Sequence, residues 1–375
     1  MKTKDQLDSR LCEAARVAVQ DVLQVKPGER VLIITNPEIE VAEISASLYH
    51  AVLEQQGRPV LICQEIKDQL SFCEEAVIGA IGTAPEVCIS MSAEKMGKDR
   101  AAMANPFQHN GKAVNNTFDY LIKTKKMRSF WSPSATRDMF IRTIPVDYRR
   151  MKAESHWIKK ILDPAEAVRI TSPGGTDITF SLKNRTALCD DGDFSQPGAG
   201  GNLPAGETFV SPVVGSAEGV IVFDGSISAH QGVIVIQTPI RVVYEKGFIT
   251  EITGGAEAEA LRETITLAEN NAYAFEKDGR LKPGLGASYA RFARGLGELG
   301  IGTNPACRIT GNMLEDEKVY ETCHFAIGTN YDGDGDSLIH LDGLVLSPDI
   351  TALGPGSPEG IPITRGGKLC LTEKP

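Results

Sequence analysis

The chain has 375 residues, of which 42% are hydrophobic and 23% are charged, values close to those of folded globular proteins. Because single cores tend to stop growing at about 250 to 300 residues, this length argues against one core and predicts two or three domains, of which we expect two. The formal net charge of -10 argues against a nucleic-acid partner or an anionic membrane surface, since both need clustered Lys and Arg.

The N-terminal stretch MKTKDQLDSRLCEAARVAVQDVL places apolar side chains at helical spacing without a continuous apolar run. It predicts an amphipathic helix of the mature protein and not a signal peptide. We also expect no membrane span, because no run of about 18 apolar residues occurs in the sequence. Eight cysteines stand singly, without the spacing of a zinc site or a disulfide scaffold. They indicate buried free thiols in a reducing cytoplasm.

Helix and strand signals alternate over the first 165 residues, an order typical of a mostly parallel sheet with helices on both faces. The loop after the first predicted strand, residues 36–40, has no glycine to admit a pyrophosphate, so we expect no nucleotide there. The basic run Lys123–Arg128 predicts a solvated surface. The predicted strands are Arg30–Thr35, Pro59–Cys63 and Val87–Met91, and the predicted helices include Val41–Gln56 and Met151–Leu162.

From about Val168 the sequence changes to short β-like runs with many glycines, which we interpret as a domain boundary. We predict an α/β N-terminal domain over residues 1–165, with a mostly parallel sheet. An antiparallel-rich α+β C-terminal metal-binding domain is predicted over residues 166–375. The predicted strands here are Val168–Thr171, Asp177–Leu182, Val220–Phe223, Gly232–Ile236 and a hairpin of Ile240–Glu245 with Phe248–Thr253, followed by a helix, Glu257–Glu269.

Two histidines of the second half lie in runs that predict strands. Residues two apart on a strand point to the same face, so His340 and Asp342 project together while Leu341 faces the other way. An imidazole and a carboxylate side by side suit a divalent metal, and a hydrogen-bonded structural pair is the alternative. His324 has only small neighbours on its own face, Thr322 and Ala326, and so has room for a larger group.

Two glutamates lie in segments rich in turn-forming residues. Glu207 follows the loop 200–206, and Glu298 has glycines at 297, 300 and 302 that permit close backbone approach. With His324, His340 and Asp342 they make five nitrogen and oxygen ligands, enough for a two-metal site. Such a site can polarise a carbonyl and supply a hydroxide at neutral pH, which predicts a hydrolase.

The acidic loop after His324 contains Asp332, Asp334 and Asp336. It lacks the glutamate that ends a twelve-residue EF-hand loop, so we expect a solvated turn. Its carboxylates are also candidates for holding the amine of a substrate.

Several of these segments resemble the aminopeptidase T family of metallo-aminopeptidases. The resemblance covers nearly the whole chain and is most specific in the second half. It implies two divalent ions, zinc, cobalt or manganese, held by Glu207, Glu298, His324, His340 and Asp342, with Glu298 and Tyr331 catalytic. It also implies a homodimer that cleaves a small peptide or related amide. The matching segments are Asn202-Leu-Pro-Ala-Gly-Glu207, Gly297-Glu298, Thr322-Cys-His324-Phe-Ala-Ile-Gly328, Tyr331 and His340-Leu-Asp342.

This chain departs from that family in one interval, because only 16 residues separate His324 from His340. A second resemblance, to 2,5-dihydroxypyridine 5,6-dioxygenase, implies a mononuclear iron enzyme with two histidines and one carboxylate. Glu298 occupies the position of that enzyme's first histidine, which favours hydrolysis over ring cleavage. A non-catalytic small-molecule binder is the third alternative. The segments that carry the second resemblance are Ser216-Ala-Glu-Gly219, Lys246-Gly-Phe-Ile-Thr250, Gly254-Gly255 and His340-Leu-Asp342.

Overall fold

The computed structural model describes residues 1–68, 71–354 and 357–371. The chain forms two compact units. The first consists of Met1–Lys152 and Asp190–Ala205, and the second of Ala153–Cys189 and Gly206–Pro375. Where the sequence suggested a boundary between residues 165 and 166, the change of unit falls inside the helix Tyr148–Leu162, and the chain later returns to the first unit.

The first unit contains a five-stranded sheet whose described pairs are all parallel, so the predicted parallel sheet is confirmed. One strand comes from the returning segment, which explains why residues 190–205 belong to this unit. The strand order is Gly200–Asn202, Arg128–Pro133, Val87–Ser92, Arg30–Thr35 and Arg58–Cys63, and a separate hairpin pairs Phe107–His109 with Lys112–Val114.

The centre of this sheet is a continuous apolar run, Val31–Ile34, in which every residue is buried. Such runs are typical of parallel strands covered on both faces. The following helix begins at Ile39, because the Glu38 carboxylate accepts a hydrogen bond from the Val41 amide at 2.9 Å. The helices of this unit are Ser9–Val17, Ile39–Glu54, Glu75–Gly82, Arg100–Ala104, Thr117–Lys123 and Arg137–Thr143.

The prediction of a solvated basic surface at Lys123–Arg128 is wrong for its last residue. Arg128 is 3% exposed, and its guanidinium donates to Glu29 at 2.6 Å and to the Leu23 carbonyl at 2.9 Å. Partners distant in sequence make this burial possible, and composition alone does not reveal them.

The second unit contains two sheets whose described pairs are antiparallel, as predicted. Side chains from both sheets share one hydrophobic core, in which the rings of Phe180 and Phe325 meet edge to face at 6.4 Å. In spatial order, the first sheet has the strands Gly232–Val235, Ser226–Ala229, His340–Leu346, Thr322–Gly328, Leu296–Gly302, Glu207–Val210 and Leu188–Asp190. The second has Phe248–Thr253, Ile240–Glu245, Glu218–Phe223, Asp177–Ser181, Ala167–Thr171, Asp349–Gly354, Ser357–Arg365 and Lys368–Leu369.

The predicted hairpin is confirmed, with Lys246 at φ 50° and Gly247 at φ 79°, as a two-residue turn of this handedness needs. The predicted helix Glu257–Glu269 is longer in the structure, Ala256–Lys277, because its buried stripe continues to Ala272. Short helices follow at Gly286–Phe292 and Met313–Asp316. No helix in the described parts of the chain is long and apolar enough to cross a membrane.

The eight cysteines are free thiols, as expected. Four of them, at positions 73, 88, 307 and 323, are buried, whereas Cys63 is exposed. The expectation of burial is therefore met only in part.

Candidate metal centre

Four neighbouring strands of the seven-stranded sheet carry the five predicted ligands. They are Glu207–Val210, Leu296–Gly302, Thr322–Gly328 and His340–Leu346, which we name the Glu207, Glu298, His324 and His340 strands. In the register, Ala326 lies opposite both Glu298 and Asp342. The small side chain of Ala326 therefore separates two carboxylates on one row of the sheet. The structure brings all five predicted ligands together.

The Glu298 carboxylate lies between the two imidazoles and turns one oxygen toward each. Its Oε1 is 3.2 Å from His324 Nε2, and its Oε2 is 3.4 Å from His340 Nε2. On the outer sides, Glu207 Oε2 is 3.3 Å from His324 Nε2, and Asp342 Oδ1 is 3.3 Å from His340 Nε2. Two groups of possible metal ligands result, Glu207–Glu298–His324 and Glu298–His340–Asp342, and they share Glu298.

The hydrogen bonding of these groups leaves buried polar atoms without partners. Within the described chain, Oε2 of Glu207, Oε2 of Glu298, Oδ1 of Asp342 and Nδ1 of His324 are buried and accept or donate no hydrogen bond. An unsatisfied buried polar group costs about 1 to 3 kcal/mol, and more when it is charged. Buried carboxylate oxygens that lie only 3.3 to 3.4 Å from imidazole nitrogens fit sites for bound cations, and the nitrogen and oxygen ligands suit zinc, cobalt, manganese or iron.

A backbone carbonyl sets the orientation of His340. Its Nδ1 lies 2.8 Å from the oxygen of Thr329, which can only accept, so Nδ1 carries the hydrogen. Nε2 is then the nitrogen directed at Glu298 and Asp342, and in the neutral ring it carries the lone pair that a metal ion would take. Ligating histidines commonly donate their other ring nitrogen in this way, which fixes the tautomer.

Gly300 makes room for the ring of His324. A Cβ at this position would lie 2.0 Å from His324 Nε2. Gly300 pairs directly with His324 in the register, so the imidazole lies over its backbone. The sequence-based interpretation of this glycine as a point of close approach is confirmed.

Lys318 and Glu317 also lie at the centre, although sequence reasoning missed them. The Lys318 side chain is 0% exposed, and its Nζ is 2.6 Å from both Glu207 Oε1 and Glu317 Oε1. Burial raises the pKa of Glu317 to about 7; the charges of Glu207 and Asp342 act in the same direction, and Lys318 opposes them. Adjacent Glu and Lys after a short helix resemble solvated surface in a single sequence, which carries no signal of their burial.

Tyr331 lies at the exposed rim of the centre. Its side chain is 61% exposed, and its ring centroid is 5.4 Å from that of His340 and 5.1 Å from that of Phe209. The Tyr331 amide donates to Ser211 Oγ at 3.3 Å, which ties the start of the acidic loop to the end of the Glu207 strand.

The acidic loop is exposed, in keeping with the expected solvated turn. Arg185 pairs with Asp334 at 2.8 Å and with Asp332 at 3.5 Å. Neither Asp332 nor Asp334 belongs to the two ligand groups found among the described residues. The loop is therefore held by a guanidinium at the edge of the centre.

In the metal-free protein, the carboxylates favour protonated imidazoles. Burial by itself lowers the pKa of His324, but the hydrogen bond with Glu298 and the charges of Glu207, Glu298 and Asp342 raise it to about 9. Burial also opposes protonation of His340, yet Asp342 and Glu298 raise its pKa well above the ordinary value. Burial would raise the pKa of Asp342, but His340 and His324 lower it to about 2.

These shifts predict how the stability of the metal-free protein depends on pH. The raised pKa of His324 adds stability in full below the unfolded value of about 6.5, and this contribution disappears as pH rises through about 9. The lowered pKa of Asp342 acts in the opposite sense. Its contribution to stability is present in full above the unfolded pKa of about 3.9 and disappears as pH falls through about 2.

Metal binding is expected to release protons. An incoming divalent ion must displace the imidazole protons, so its apparent affinity should rise about tenfold per pH unit for each proton released, up to pH about 9. Calorimetric titration with Mn²⁺ in buffers of different ionisation enthalpy measures this release. A His324→Asn variant should release fewer protons than the wild type. Binding that is independent of both pH and buffer would contradict the expectation.

Comparisons with known proteins relate the chain to two kinds of enzyme. A family model described as NicX, 2,5-dihydroxypyridine 5,6-dioxygenase, matches residues 132–277. The 2,5-dihydroxypyridine 5,6-dioxygenase of Pseudomonas putida is 32% identical over 128 residues, which are 34% of this chain and 35% of that protein. The chain thus matches about a third of the length of this curated relative.

Two solved structures share the fold over nearly the full length. The 2,5-dihydroxypyridine dioxygenase of Pseudomonas putida KT2440 superposes with a TM-score of 0.72 at 18% identity, covering 98% of this chain and 99% of that one. Wild-type AmpT from Thermus thermophilus gives a TM-score of 0.63 at 16% identity, covering 96% and 99%. The resemblance to aminopeptidase T is therefore supported in fold, and the sequence similarity points to the dioxygenase.

The family match stops short of most of the metal centre. Residues 132–277 include Glu207 but end before Glu298, His324, His340 and Asp342. Sequence similarity in this range says nothing about four of the five ligands. The chemistry of the site has to be argued from its own geometry.

Proposed function

We propose that this protein is a metal-dependent hydrolase that uses two divalent ions to cleave an N-terminal peptide bond or a related amide. One observation carries the proposal: the five ligands form two groups that share Glu298, and each group contains one histidine. A carboxylate with one oxygen toward each imidazole is suited to bridging two ions. The AmpT fold is consistent with this assignment.

The charges of the centre favour the binding of divalent cations. Four carboxylates, those of Glu207, Glu298, Glu317 and Asp342, face a single ammonium, that of Lys318. With all four carboxylates ionised and both imidazoles neutral, one divalent ion would leave the buried cluster negative, whereas two ions with a hydroxide would bring it to neutrality. Buried charge without compensation is costly, but protonation of Glu317 or His324 would also neutralise a one-ion centre, so the support for two ions comes from the two ligand groups.

The ions, when bound, would polarise the substrate carbonyl and activate water at neutral pH. Glu298 would orient both positions, and a carboxylate of the site would take the proton of the attacking water and pass it to the leaving amine. Tyr331, at the rim beside His340, donates its phenol hydrogen to the developing oxyanion. Arg185 already pairs with Asp332 and Asp334, so the substrate amine is better placed at the metal centre than on the acidic loop.

Ring cleavage by a mononuclear iron site is the second candidate, and the sequence match over residues 132–277 favours it. That chemistry needs His324, His340 and one carboxylate on a single ion. In the described chain the two imidazoles fall in different ligand groups, which weighs against this arrangement.

Metal content and turnover together separate the candidates. Protein purified without added metal would be analysed for bound elements, stripped with chelator and reloaded with zinc, cobalt or manganese. Hydrolysis of amino-acid amides and dipeptides that requires two ions per chain is the expected result. Oxygen-dependent consumption of 2,5-dihydroxypyridine with one ferrous ion would establish the dioxygenase instead. A folded protein with neither metal nor turnover would be the non-catalytic binder. The homodimer and the cytoplasmic location stay predictions.

A further inference from the structure

The two metal positions differ in their distance from the buried ammonium of Lys318. Lys318 Nζ lies 2.6 Å from Oε1 of Glu207, a carboxylate that belongs to only one of the two ligand groups. It also forms an ion pair with Glu317, 2.6 Å away. In the group Glu298–His340–Asp342, the contacts of Asp342 and Glu298 are with imidazoles.

The ammonium weakens metal binding at the nearer position in two ways. It holds one oxygen of Glu207, so only Oε2 remains directed at His324. It also places a positive charge, which Glu317 offsets in part, next to the group Glu207–Glu298–His324, where it opposes the binding of a divalent ion. Lys318 acts on Asp342 as well, but more weakly than either histidine does.

The two metal positions also differ in how exposed their ligands are to solvent. The His340 side chain is 27% exposed, whereas that of His324 is 1% exposed and that of Glu207 is 10% exposed. An ion arriving from solvent therefore meets His340 first, and the position beside Lys318 lies deeper.

We propose that Lys318 makes the two positions unequal, so that a divalent ion binds tightly at Glu298–His340–Asp342 and at least about tenfold more weakly at Glu207–Glu298–His324. This inference rests on the two-ion centre of the proposed function but not on its hydrolytic activity. Its consequence is that metal supply controls the second position alone, so the hydrolase would be half-loaded when metal is scarce.

Calorimetric titration of the chelator-treated full chain with Co²⁺, followed in parallel by the visible spectrum of the bound ion, tests the proposal without any substrate. The wild type should bind one equivalent tightly and a second at least about tenfold more weakly. Glu207→Gln should remove the weak event and leave the tight one. Asp342→Asn should weaken the tight event.

Lys318→Met removes the ammonium while keeping most of the side-chain volume. It should tighten the second binding event and so reduce the ratio between the two dissociation constants. Lys318→Arg keeps the charge and serves as the matched control, so the ratio between its two dissociation constants should stay at least about tenfold. Circular dichroism establishes that each variant is folded. If Lys318→Met does not fold, the wild-type titration and Glu207→Gln still decide whether the two positions are unequal and which one is weaker, and Lys318→Gln replaces Lys318→Met as the test of the ammonium.

Two equal events in the wild type would overturn the inequality and leave the hydrolase proposal standing. The proposed inequality would also be overturned if Glu207→Gln lost the tight binding event, or if folded Lys318→Met kept the wild-type ratio between the two dissociation constants. A single tight equivalent with no second event would support the inequality and contradict the two-ion hydrolase. The two proposals can therefore fail separately.

Discussion

Replacing Glu298 by alanine is expected to abolish binding at both metal positions and to lower kcat/KM for amide hydrolysis at least about a thousandfold. Each oxygen of this carboxylate faces a different imidazole, so its loss affects both ligand groups at once. Elemental analysis and steady-state kinetics on a folded variant measure the two effects.

Glu263→Ala is a suitable control for this experiment, since Glu263 is an exposed residue of the helix Ala256–Lys277 in the same unit. It should change neither metal content nor rate. A folded Glu298→Ala protein that keeps two ions would show that Glu298 is not the shared ligand.

Gly300→Ala should lower metal content and stability together. The new Cβ would lie 2.0 Å from His324 Nε2, so the imidazole or the Glu298 strand must move. Overpacking of this kind costs about 1 to 3 kcal/mol, and the displaced ring can no longer face Glu207 and Glu298. Thermal unfolding and metal analysis measure the two effects.

Gly79→Ala provides the matched control. Gly79 lies in the helix Glu75–Gly82 and has open space where its Cβ would be, so alanine there should stabilise the protein by about 0.5 to 1 kcal/mol. If Gly300→Ala keeps full metal content and an unchanged melting temperature, the close approach to His324 has no functional consequence.

The alternation of side chains along strands carried most of what the sequence could say about the site. His324, His340 and Asp342 lie in apolar runs of period two, so the residues that share their face follow from position alone. The distances between strands do not follow in this way. Glu207 and Glu298 became specific candidates chiefly through the resemblance to aminopeptidase T, since isolated glutamates after glycine-rich loops are common on protein surfaces.

Lys318, Glu317 and Arg128 show where the sequence-based prediction stops. Each is a charged residue in a charged local context. Lys318 and Arg128 are buried with partners far away in sequence, and Glu317 is buried beside Lys318. Charged residues are seldom buried unless paired, and one sequence does not reveal the pairing. The same limit applies to substrate: the fold is shared by two enzymes with different chemistry, so it cannot choose between them.

The return of residues 190–205 to the first unit limits how the molecule can be divided. A fragment ending at residue 165 would lack Gly200–Asn202, the strand that covers one side of Arg128–Pro133. Its sheet would then end in a strand with unpaired amide and carbonyl groups, a template for association between chains. A recombinant first unit would need the returning segment joined to it by a designed linker. Limited proteolysis within Ala153–Cys189 would break the covalent link between that strand and the rest of its unit, while the strand could stay bound to the sheet through its hydrogen bonds.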